Sequence, residues 1–196
     1  MRIPYNRGLF YLVLSSAIAG GLLGIGSALV AVATVTETET PRYGAWKPAP
    51  DPAQTAENRW IRTGFALFGA YLPVRGDALE FNTVHDSNLD TLDEDCTYFL
   101  TSSGPPAPFW TLSVHERSHR VVDAAGRPAS ITSAQVGPDG RGRIQVVLGG
   151  EDLGSGWLPT GDRMPTLTLR LYDLDPGVRN DPMRLPLFAI DKGECR

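Results

Sequence analysis

The sequence predicts a mainly β protein: an antiparallel β-sandwich or jelly roll, preceded by one transmembrane helix and one short amphipathic helix. From about position 72 onward, short β-rich runs alternate with Gly, Pro, Asp and Ser clusters at intervals of about 8–12 residues. The 196-residue chain contains 21 glycines and 16 prolines, which favours many turns over a helical bundle. The third observation is a long uncharged run near the N-terminus.

The uncharged run predicts a membrane anchor over residues 1–35. Residues 9–35 carry no charge, and crossing the bilayer core takes about 20 helical residues. Because Arg2 and Arg7 precede the run, the positive-inside rule places the N-terminus in the cytoplasm. We therefore expect a single-pass protein of the bacterial inner membrane with its domain in the periplasm. An uncleaved anchor is favoured, while Ala31-Val32-Ala33 keeps signal-peptidase cleavage as the alternative.

A small-residue motif lies within the predicted anchor. Gly20 and Gly24 form G-x-x-x-G, which allows two membrane helices to approach closely. A homodimer through the anchor is one interpretation. The other interpretation is that the two glycines are present because small residues are common in membrane helices, without any contact to a second helix.

Two segments connect the anchor to the predicted sandwich. Residues 36–56 are rich in Thr, Pro and Ala, which indicates a semi-extended linker. Residues 57–70 place Trp60, Ile61 and Phe65 at near-helical spacing, so an amphipathic helix is predicted there. This helix leads the domain of residues 57–196.

Alternation of apolar and polar residues identifies the strands. In the clearest case Leu167, Leu169 and Leu171 share one face of a strand. The candidate strands occupy 78–84, 97–101, 109–115, 120–122, 130–136, 143–148, 166–172 and 187–190.

The net charge indicates which class of partner is excluded, and the compartment indicates how the two cysteines pair. Removing the two early arginines from the 18 basic residues leaves 16, against 22 acidic residues, so the exported part has a net charge of −6. This charge and the lack of a basic cluster argue against nucleic acid as a partner. Cys96 and Cys195 are both in the exported part, where a cysteine pair usually forms a disulfide. A free or metal-bound pair is the alternative.

His115 and His119 fit the zinc pattern H-E-x-x-H. On a helix the pattern brings both imidazoles to one ion, with the intervening Glu as general base. The preceding residues 109–114 are instead aromatic and β-branched with alternating polarity, which predicts a strand ending near His115 and a hairpin turn through His119. A third ligand is also missing, since Val122 and Ala125 occupy the positions of the usual extension. We predict no metal site here.

A second metal-like string contains Asp86, Asn88 and Asp90, which match the first ligands of a calcium loop. The match then fails, because Thr91 stands where Gly is needed and Thr97 where the bidentate Glu belongs. A solvated turn between two strands is the favoured interpretation. No cofactor is predicted.

Three short motifs together resemble a known bacterial family. They are FWTLSV at 109–114, GWLPT at 156–160 and LTLRLY at 167–172, with Cys96 before an aromatic strand and Cys195 near the end. In this order they resemble the family called domain of unknown function 1214, over roughly residues 42–195. The resemblance implies a jelly-roll sandwich and supplies no activity. It also implies that His119 takes the place of a turn glycine, and that this chain is like the short membrane-anchored members, which have no fused domain of unknown function 1254.

The predicted function is a binding or structural role in the cell envelope, with an envelope small molecule, glycan or protein as ligand. Trp110 and Trp157 could line a ligand groove, the alternative being that both are core residues. Arg170 points away from the leucines of its strand and could contact an anion or pair with Asp173 or another acidic residue nearby. The alternative function is a periplasmic hydrolase or lyase, metal-dependent or not, that uses acidic residues with His85 or His115.

Overall fold

The computed structural model describes most of the chain. The described residues are 7–38, 42–49, 63, 78–116, 122, 129–149, 154, 156–161, 164–179 and 184–196. The N-terminal helix and the β structure belong to two separate compact units and are described in turn.

The N-terminal helix α1 spans Arg7–Thr38. Its first 25 residues, Arg7–Ala31, have a mean hydropathy of 1.9 and no residue of the most apolar window is buried within the protein. The hydroxyls of Ser15, Ser27 and Thr34 donate to backbone carbonyls within their own helix, so these polar groups are satisfied inside it. At about 1.5 Å per residue, α1 is long and apolar enough to cross a bilayer.

The predicted amphipathic helix over 57–70 lies outside the described residues, except for Thr63, which is helical. The predicted strand 120–122 also lies outside them apart from Val122. The domain boundaries predicted above stay predictions.

Within the described residues, the β structure consists of two sheets. The strands are β1 (Lys47–Pro48), β2 (Ala78–Thr83), β3 (Cys96–Ser102), β4 (Phe109–Glu116), β5 (Ser130–Thr132), β6 (Ile144–Leu148), β7 (Trp157–Leu158), β8 (Pro165–Tyr172) and β9 (Ala189–Cys195). One sheet has five strands in the order β1-β2-β8-β4-β5, and the other has four in the order β7-β6-β3-β9. All neighbours are antiparallel except β6 and β7. A short helix α2 (Pro176–Arg179) follows β8.

The sequence prediction of a mainly β, sandwich-like fold with an apolar N-terminal helix is confirmed. Strands were predicted at the positions of β2, β3, β4, β5, β6 and β8, and part of β9. Strands β1 and β7 have two residues each, which is too short for an alternating pattern to be recognised.

Leucines and aromatic rings from both sheets form one core. From the five-stranded sheet come Phe81, Trp110, Leu112 and the three leucines of β8, and from the other sheet Tyr98, Leu100, Val146 and Ile190, all nearly inaccessible to solvent. Alternation along each strand therefore turns the other side chains, most of them polar, to the outer side of each sheet. The candidate site lies on the outer side of the five-stranded sheet.

Residues 42–49 fall within the interval predicted as a linker, yet they contribute to the sheet and the core. Strand β1 pairs with β2, and Trp46 is buried in the core cluster. The physical reason is that an indole has a large apolar surface, whose burial outweighs the weak local preference of a Pro- and Ala-rich segment.

Candidate functional site

The outer face of the five-stranded sheet carries a connected set of polar side chains, which we call the polar face. Its members are Lys47 on β1, Glu80 and Asn82 on β2, Thr166, Thr168, Arg170 and Tyr172 on β8, and Phe109, Thr111, Ser113 and His115 on β4. They alternate with the core residues Leu79, Phe81, Leu167, Leu169, Leu171, Trp110, Leu112 and Val114. The register of the sheet then decides which of them meet.

An ion pair links the first two strands of the polar face. Glu80 and Arg170 are directly opposite each other, and Arg170 Nε lies 2.7 Å from Glu80 Oε2. The side chain of Glu80 is only 9% exposed, whereas that of Arg170 is 41% exposed. The carboxylate therefore serves as the fixed partner, and part of the guanidinium faces solvent.

The same carboxylate begins a hydrogen-bonded chain along the sheet. Asn82 Nδ2 donates to Glu80 Oε1 at 3.0 Å, and Thr168 Oγ1 donates to Asn82 Oδ1 at 2.7 Å. Each group in this chain orients the next, because Asn82 both donates and accepts. The result is a network whose geometry is set before any ligand arrives.

The environment of Arg170 favours its charged form. Partial burial by itself disfavours the charge, but the hydrogen bond and negative charge of Glu80, aided by Tyr172, outweigh it and raise the pKa of Arg170. The guanidinium therefore stays protonated, and with Glu80 it forms a pair of zero net charge.

An aromatic edge adjoins the ion pair. Phe109 and Tyr172 are opposite each other in the register, and their ring centroids are 5.5 Å apart. Phe109 is 39% exposed, so part of its ring is open to solvent. The polar face thus combines planar polar groups with an accessible apolar ring.

A serine and a histidine meet on β4 of the polar face. Ser113 Oγ lies 3.0 Å from His115 Nε2, which is the separation of a nucleophile and a base. Strand β4 lies between β8 and β5, so its backbone N–H groups point along the sheet and not out of the face. Donors for a reaction's developing negative charge would therefore have to come from elsewhere in the chain.

The H-E-x-x-H motif begins in a strand. His115 and Glu116 pair with Thr166 and Pro165 of β8, so the first two positions of the motif are extended and not helical. This confirms the predicted strand through His115 and lengthens it by one residue. His119 lies outside the described residues. Within the described ranges, no three His, Cys, Asp or Glu side chains lie close enough together to hold a metal ion.

The calcium-like string forms a turn organised by one carboxylate. Asp86 is buried, and its Oδ1 accepts hydrogen bonds from the backbone N–H groups of Asn88 and Asp90 at 2.9 Å and 3.0 Å. The side chains of Asn88 and Asp90 are exposed, and Leu89 between them has a φ of 69°. Asp86 therefore acts as a backbone acceptor within the turn.

The two tryptophans predicted as groove residues are both buried. Trp110 has no exposed surface and packs edge-on against Phe188, with ring centroids 5.4 Å apart. Trp157 retains 5% exposure. Burial of this degree favours the alternative in which both rings are core residues. Arg170 is the predicted ligand contact that the structure places on an accessible surface, and its acidic partner is Glu80 instead of Asp173.

A disulfide joins Cys96 to Cys195, as predicted. The two residues are opposite each other on β3 and β9, so the bond closes the end of the four-stranded sheet. It connects positions 99 residues apart.

A family model described as "Protein of unknown function (DUF1214)" matches residues 77–176, which are 100 of the 196 residues of the chain. The chain belongs to the DUF1214 family. The match is shorter than the 42–195 expected from the motifs, and it contains every residue of the polar face except Lys47. Cys195 of the disulfide lies outside it.

Two solved structures are similar to this DUF1214 chain. The VPA0106 protein from Vibrio parahaemolyticus has 16% sequence identity and a TM-score of 0.57, with 96% of this chain and 47% of that chain covered. An uncharacterised protein from Burkholderia cenocepacia has 12% identity and a TM-score of 0.47, with 60% of this chain and 30% of that chain covered. The chain therefore spans less than half the length of either protein. The Vibrio structure supports the fold alone. Among curated proteins, none matches this chain.

Proposed function

We propose that this DUF1214 protein is a membrane-anchored binding protein of the bacterial cell envelope. In this proposal α1 lies in the inner membrane with its N-terminus in the cytoplasm, and the sandwich lies in the periplasm. The polar face is the ligand-binding surface. The observation that carries the proposal is the preorganised network from Arg170 through Glu80 and Asn82 to Thr168, which needs no ligand to form and whose Arg170 end is 41% exposed.

Two further features support the compartment. Helix α1 has the length and hydropathy of a membrane span, and the Cys96–Cys195 disulfide is of a kind that persists in oxidising compartments such as the periplasm. An apolar N-terminal helix is equally typical of a signal sequence, so the anchor needs its own test.

The test of the anchor is the mass and topology of the protein in cells. We expect the membrane fraction to yield the whole chain of 21.2 kDa, and protease added to spheroplasts to digest the sandwich. A soluble periplasmic species beginning near residue 34 would show that the N-terminal segment is a cleaved signal sequence and not an anchor. A sandwich that survives protease in intact spheroplasts and is digested only after lysis would overturn the periplasmic location.

The test of the binding face is a thermal-shift screen of the full chain against sugars, lipid headgroups and peptides. We expect one class of compound to raise the Tm, and Arg170→Met to abolish the rise. Phe99→Ala is the matched control, because Phe99 is as exposed as Phe109, at 39%, but lies on the other sheet. The absence of any Tm rise that depends on Arg170 would overturn the binding face.

A hydrolytic role is the second candidate, because Ser113 Oγ lies 3.0 Å from His115 Nε2. It predicts that the full chain hydrolyses an activated ester, such as a nitrophenyl ester, and that Ser113→Ala removes the activity. Hydrolysis that is unchanged in Ser113→Ala would eliminate this candidate.

A further inference from the structure

Glu80 holds Arg170 in place and is not itself available to a ligand. Its side chain is only 9% exposed, and its two oxygens already accept hydrogen bonds, from Arg170 Nε at 2.7 Å and from Asn82 Nδ2 at 3.0 Å. Glu80 is therefore a positioning residue. The charged group that a ligand can reach beside it is the guanidinium of Arg170, whose side chain is 41% exposed.

The guanidinium of Arg170 retains donors for a ligand. Its hydrogen bond to Glu80 uses Nε, which leaves the N–H groups of Nη1 and Nη2. Tyr172 is the other side chain that interacts with it, and the two partners together take fewer N–H groups than a guanidinium carries. Paired N–H groups of a guanidinium match the two oxygens of a carboxylate. A carboxylate is therefore a suitable second partner for Arg170.

The sheet register shows from which side such a partner can approach. Glu80 lies opposite Arg170 on β2, and Thr111 lies opposite it on β4. Beyond Thr111 the same row continues to Thr132 of β5. Neither threonine is charged, and a hydroxyl can donate a hydrogen bond to an anion. An anion above Thr111 would therefore contact the guanidinium with the carboxylate of Glu80 on the far side of it.

The charged side chains of the polar face favour an anion. They are Lys47, Arg170 and Glu80, so two cations stand against one carboxylate before His115 is counted. The face therefore differs from the chain as a whole, which has 18 basic and 22 acidic residues. Strand β1 is two strands from β8, about 10 Å at the usual strand spacing. Lys47 thus adds to the local potential, while Arg170 supplies the contact.

Phe109 supplies an apolar surface beside the same place. It precedes Thr111 by two positions on β4, so both side chains are on the outer face of the sheet. The ring of Phe109 is 39% exposed and packs on Tyr172, with centroids 5.5 Å apart. An open ring next to a cation suits a molecule in which an apolar group adjoins the acid.

We propose that the polar face binds a small organic carboxylate with an apolar group next to the acid. The carboxylate lies on Arg170 and Thr111, and the apolar group lies on Phe109. This inference rests on the proposed function and names its ligand class. A phosphate ester shares the negative charge but has a tetrahedral acid group, so the test includes one.

The test uses the full chain in phosphatidylcholine nanodiscs, whose headgroups have no net charge, with empty nanodiscs to subtract binding to lipid. The probe is 3-phenylpropanoate. Its amide keeps the shape without the charge, acetate keeps the acid without the ring, and phenyl phosphate changes the acid. Ligand-observed NMR titration is expected to give a Kd in the micromolar to millimolar range for 3-phenylpropanoate. The amide and acetate should each bind weaker by about tenfold or more, since each lacks one of the two contacts.

The variants decide whether binding occurs on the polar face. Arg170→Met should weaken binding of 3-phenylpropanoate by about tenfold or more, and Arg170→Lys, which loses the planar group, is the second variant should Arg170→Met unfold. Lys47→Met is the matched control, because it removes the same charge from the same face two strands away, and its effect should be several-fold smaller. Phe109→Ala should weaken binding by several-fold, whereas Phe99→Ala removes an equally exposed ring from the other sheet and should leave the Kd unchanged. Far-ultraviolet circular dichroism and Tm confirm that each variant is folded.

The outcomes separate this inference from the proposed function. Equal binding of the amide and the acid, or equal weakening by Lys47→Met and Arg170→Met, overturns the carboxylate site, as does equal weakening by Phe99→Ala and Phe109→Ala. Tighter binding of phenyl phosphate that depends on Arg170 replaces the carboxylate with a phosphate and leaves the binding face. If no acid binds but a sugar, lipid headgroup or peptide raises the Tm through Arg170, the inference is lost and the proposed function stands. If no compound of any class responds to Arg170→Met, both are overturned.

Discussion

The indole nitrogen of Trp46 donates a 2.6 Å hydrogen bond to the carbonyl oxygen of Phe188, although 142 positions separate the two residues. The ring of Phe188 packs edge-on against Trp110. Trp46 therefore joins the segment before β1 to the segment before β9, and it does so inside the core. A residue outside the DUF1214 match thus helps to close the sandwich.

Substitution of Trp46 tests this junction. Trp46→Phe keeps an aromatic ring but leaves the Phe188 carbonyl without its donor, which should cost about 1–3 kcal/mol of unfolding free energy. Trp46→Ala also leaves a cavity and should cost about 3–5 kcal/mol. Urea unfolding of the full chain measures both, with the exposed Arg42→Ala as control. A loss below about 0.5 kcal/mol for Trp46→Ala would show that the segment does not contribute to the fold.

The disulfide should contribute much of the stability of the sandwich. It closes a loop of 99 positions, and in the chain-entropy model a loop of this length is worth about 4–5 kcal/mol, as an upper value. We expect reductant to lower the urea midpoint of the native protein. The double variant Cys96→Ala/Cys195→Ala should be equally destabilised and insensitive to reductant. Two free thiols by alkylation and intact mass in the unreduced protein would contradict the bond.

Much of the fold could be predicted because apolar and polar residues alternate regularly along most of the strands. In β8, Leu167, Leu169 and Leu171 identify both the strand and its buried side. Strand β9 was predicted only in part, since Asp191, Lys192 and Glu194 are exposed on an edge strand and interrupt the apolar alternation. There the pairing with β3 and the disulfide determine the strand, and neither is a local signal.

The candidate site was less predictable, because it depends on register. Arg170 was identifiable as an outward residue of its strand, but its partner Glu80 is 90 positions away in sequence. Nothing local indicates which of the many acidic residues lies opposite it. Asn82, Thr168 and Ser113 are ordinary polar residues at alternate strand positions, and only the pairing of β2 and β4 with β8 makes them one surface.

A double-mutant cycle on Glu80 and Arg170 measures the ion pair that organises the polar face. The pair is intermediate between a surface and a buried ion pair, since Glu80 is mostly covered and Arg170 is 41% exposed. We therefore expect Glu80→Gln and Arg170→Met to couple by about 1–2 kcal/mol in urea unfolding. The more exposed pair Arg143–Asp139, at 3.4 Å, is the matched control and should couple more weakly, because both of its charges face solvent. Equal coupling in the two cycles would contradict the special role of Glu80.

Gly193 lies where β9 passes under an aromatic ring of β3. A Cβ at this position would be 2.9 Å from Phe99 Cε2 and 3.2 Å from the Thr97 carbonyl oxygen. Because the backbone oxygen cannot rotate away, Gly193→Ala should cost about 1–3 kcal/mol. Gly104→Ala is the control, since a Cβ there meets nothing within 4 Å. If Gly193→Ala unfolds at the same urea concentration as the native protein, strands β3 and β9 do not pack this closely.

The buried phenol of Tyr98 predicts a loss of stability in alkaline solution. Its hydroxyl accepts a 2.9 Å hydrogen bond from the backbone N–H of Asp93. Burial, aided by the negative charges of Asp93, Asp86 and Asp90, raises the pKa of Tyr98 in the folded protein. In the unfolded chain the phenol ionises near its ordinary value of about 10. The folded state therefore binds more protons above this pH, so the free energy of unfolding should fall as pH rises above about 10, towards the folded-state pKa.

Tyr98→Phe separates this effect from general alkaline denaturation. The variant lacks the acceptor for the Asp93 N–H and should be less stable than the native protein at pH 8 by about 1 kcal/mol. Above pH 10 the unfolding free energy of the variant should fall less steeply, because the variant lacks the phenol of Tyr98. The other tyrosines titrate in both proteins and do not contribute to the difference. Urea unfolding between pH 8 and pH 11 provides the two slopes. Equal slopes would mean that the phenol of Tyr98 is as free to ionise in the folded protein as in the unfolded chain.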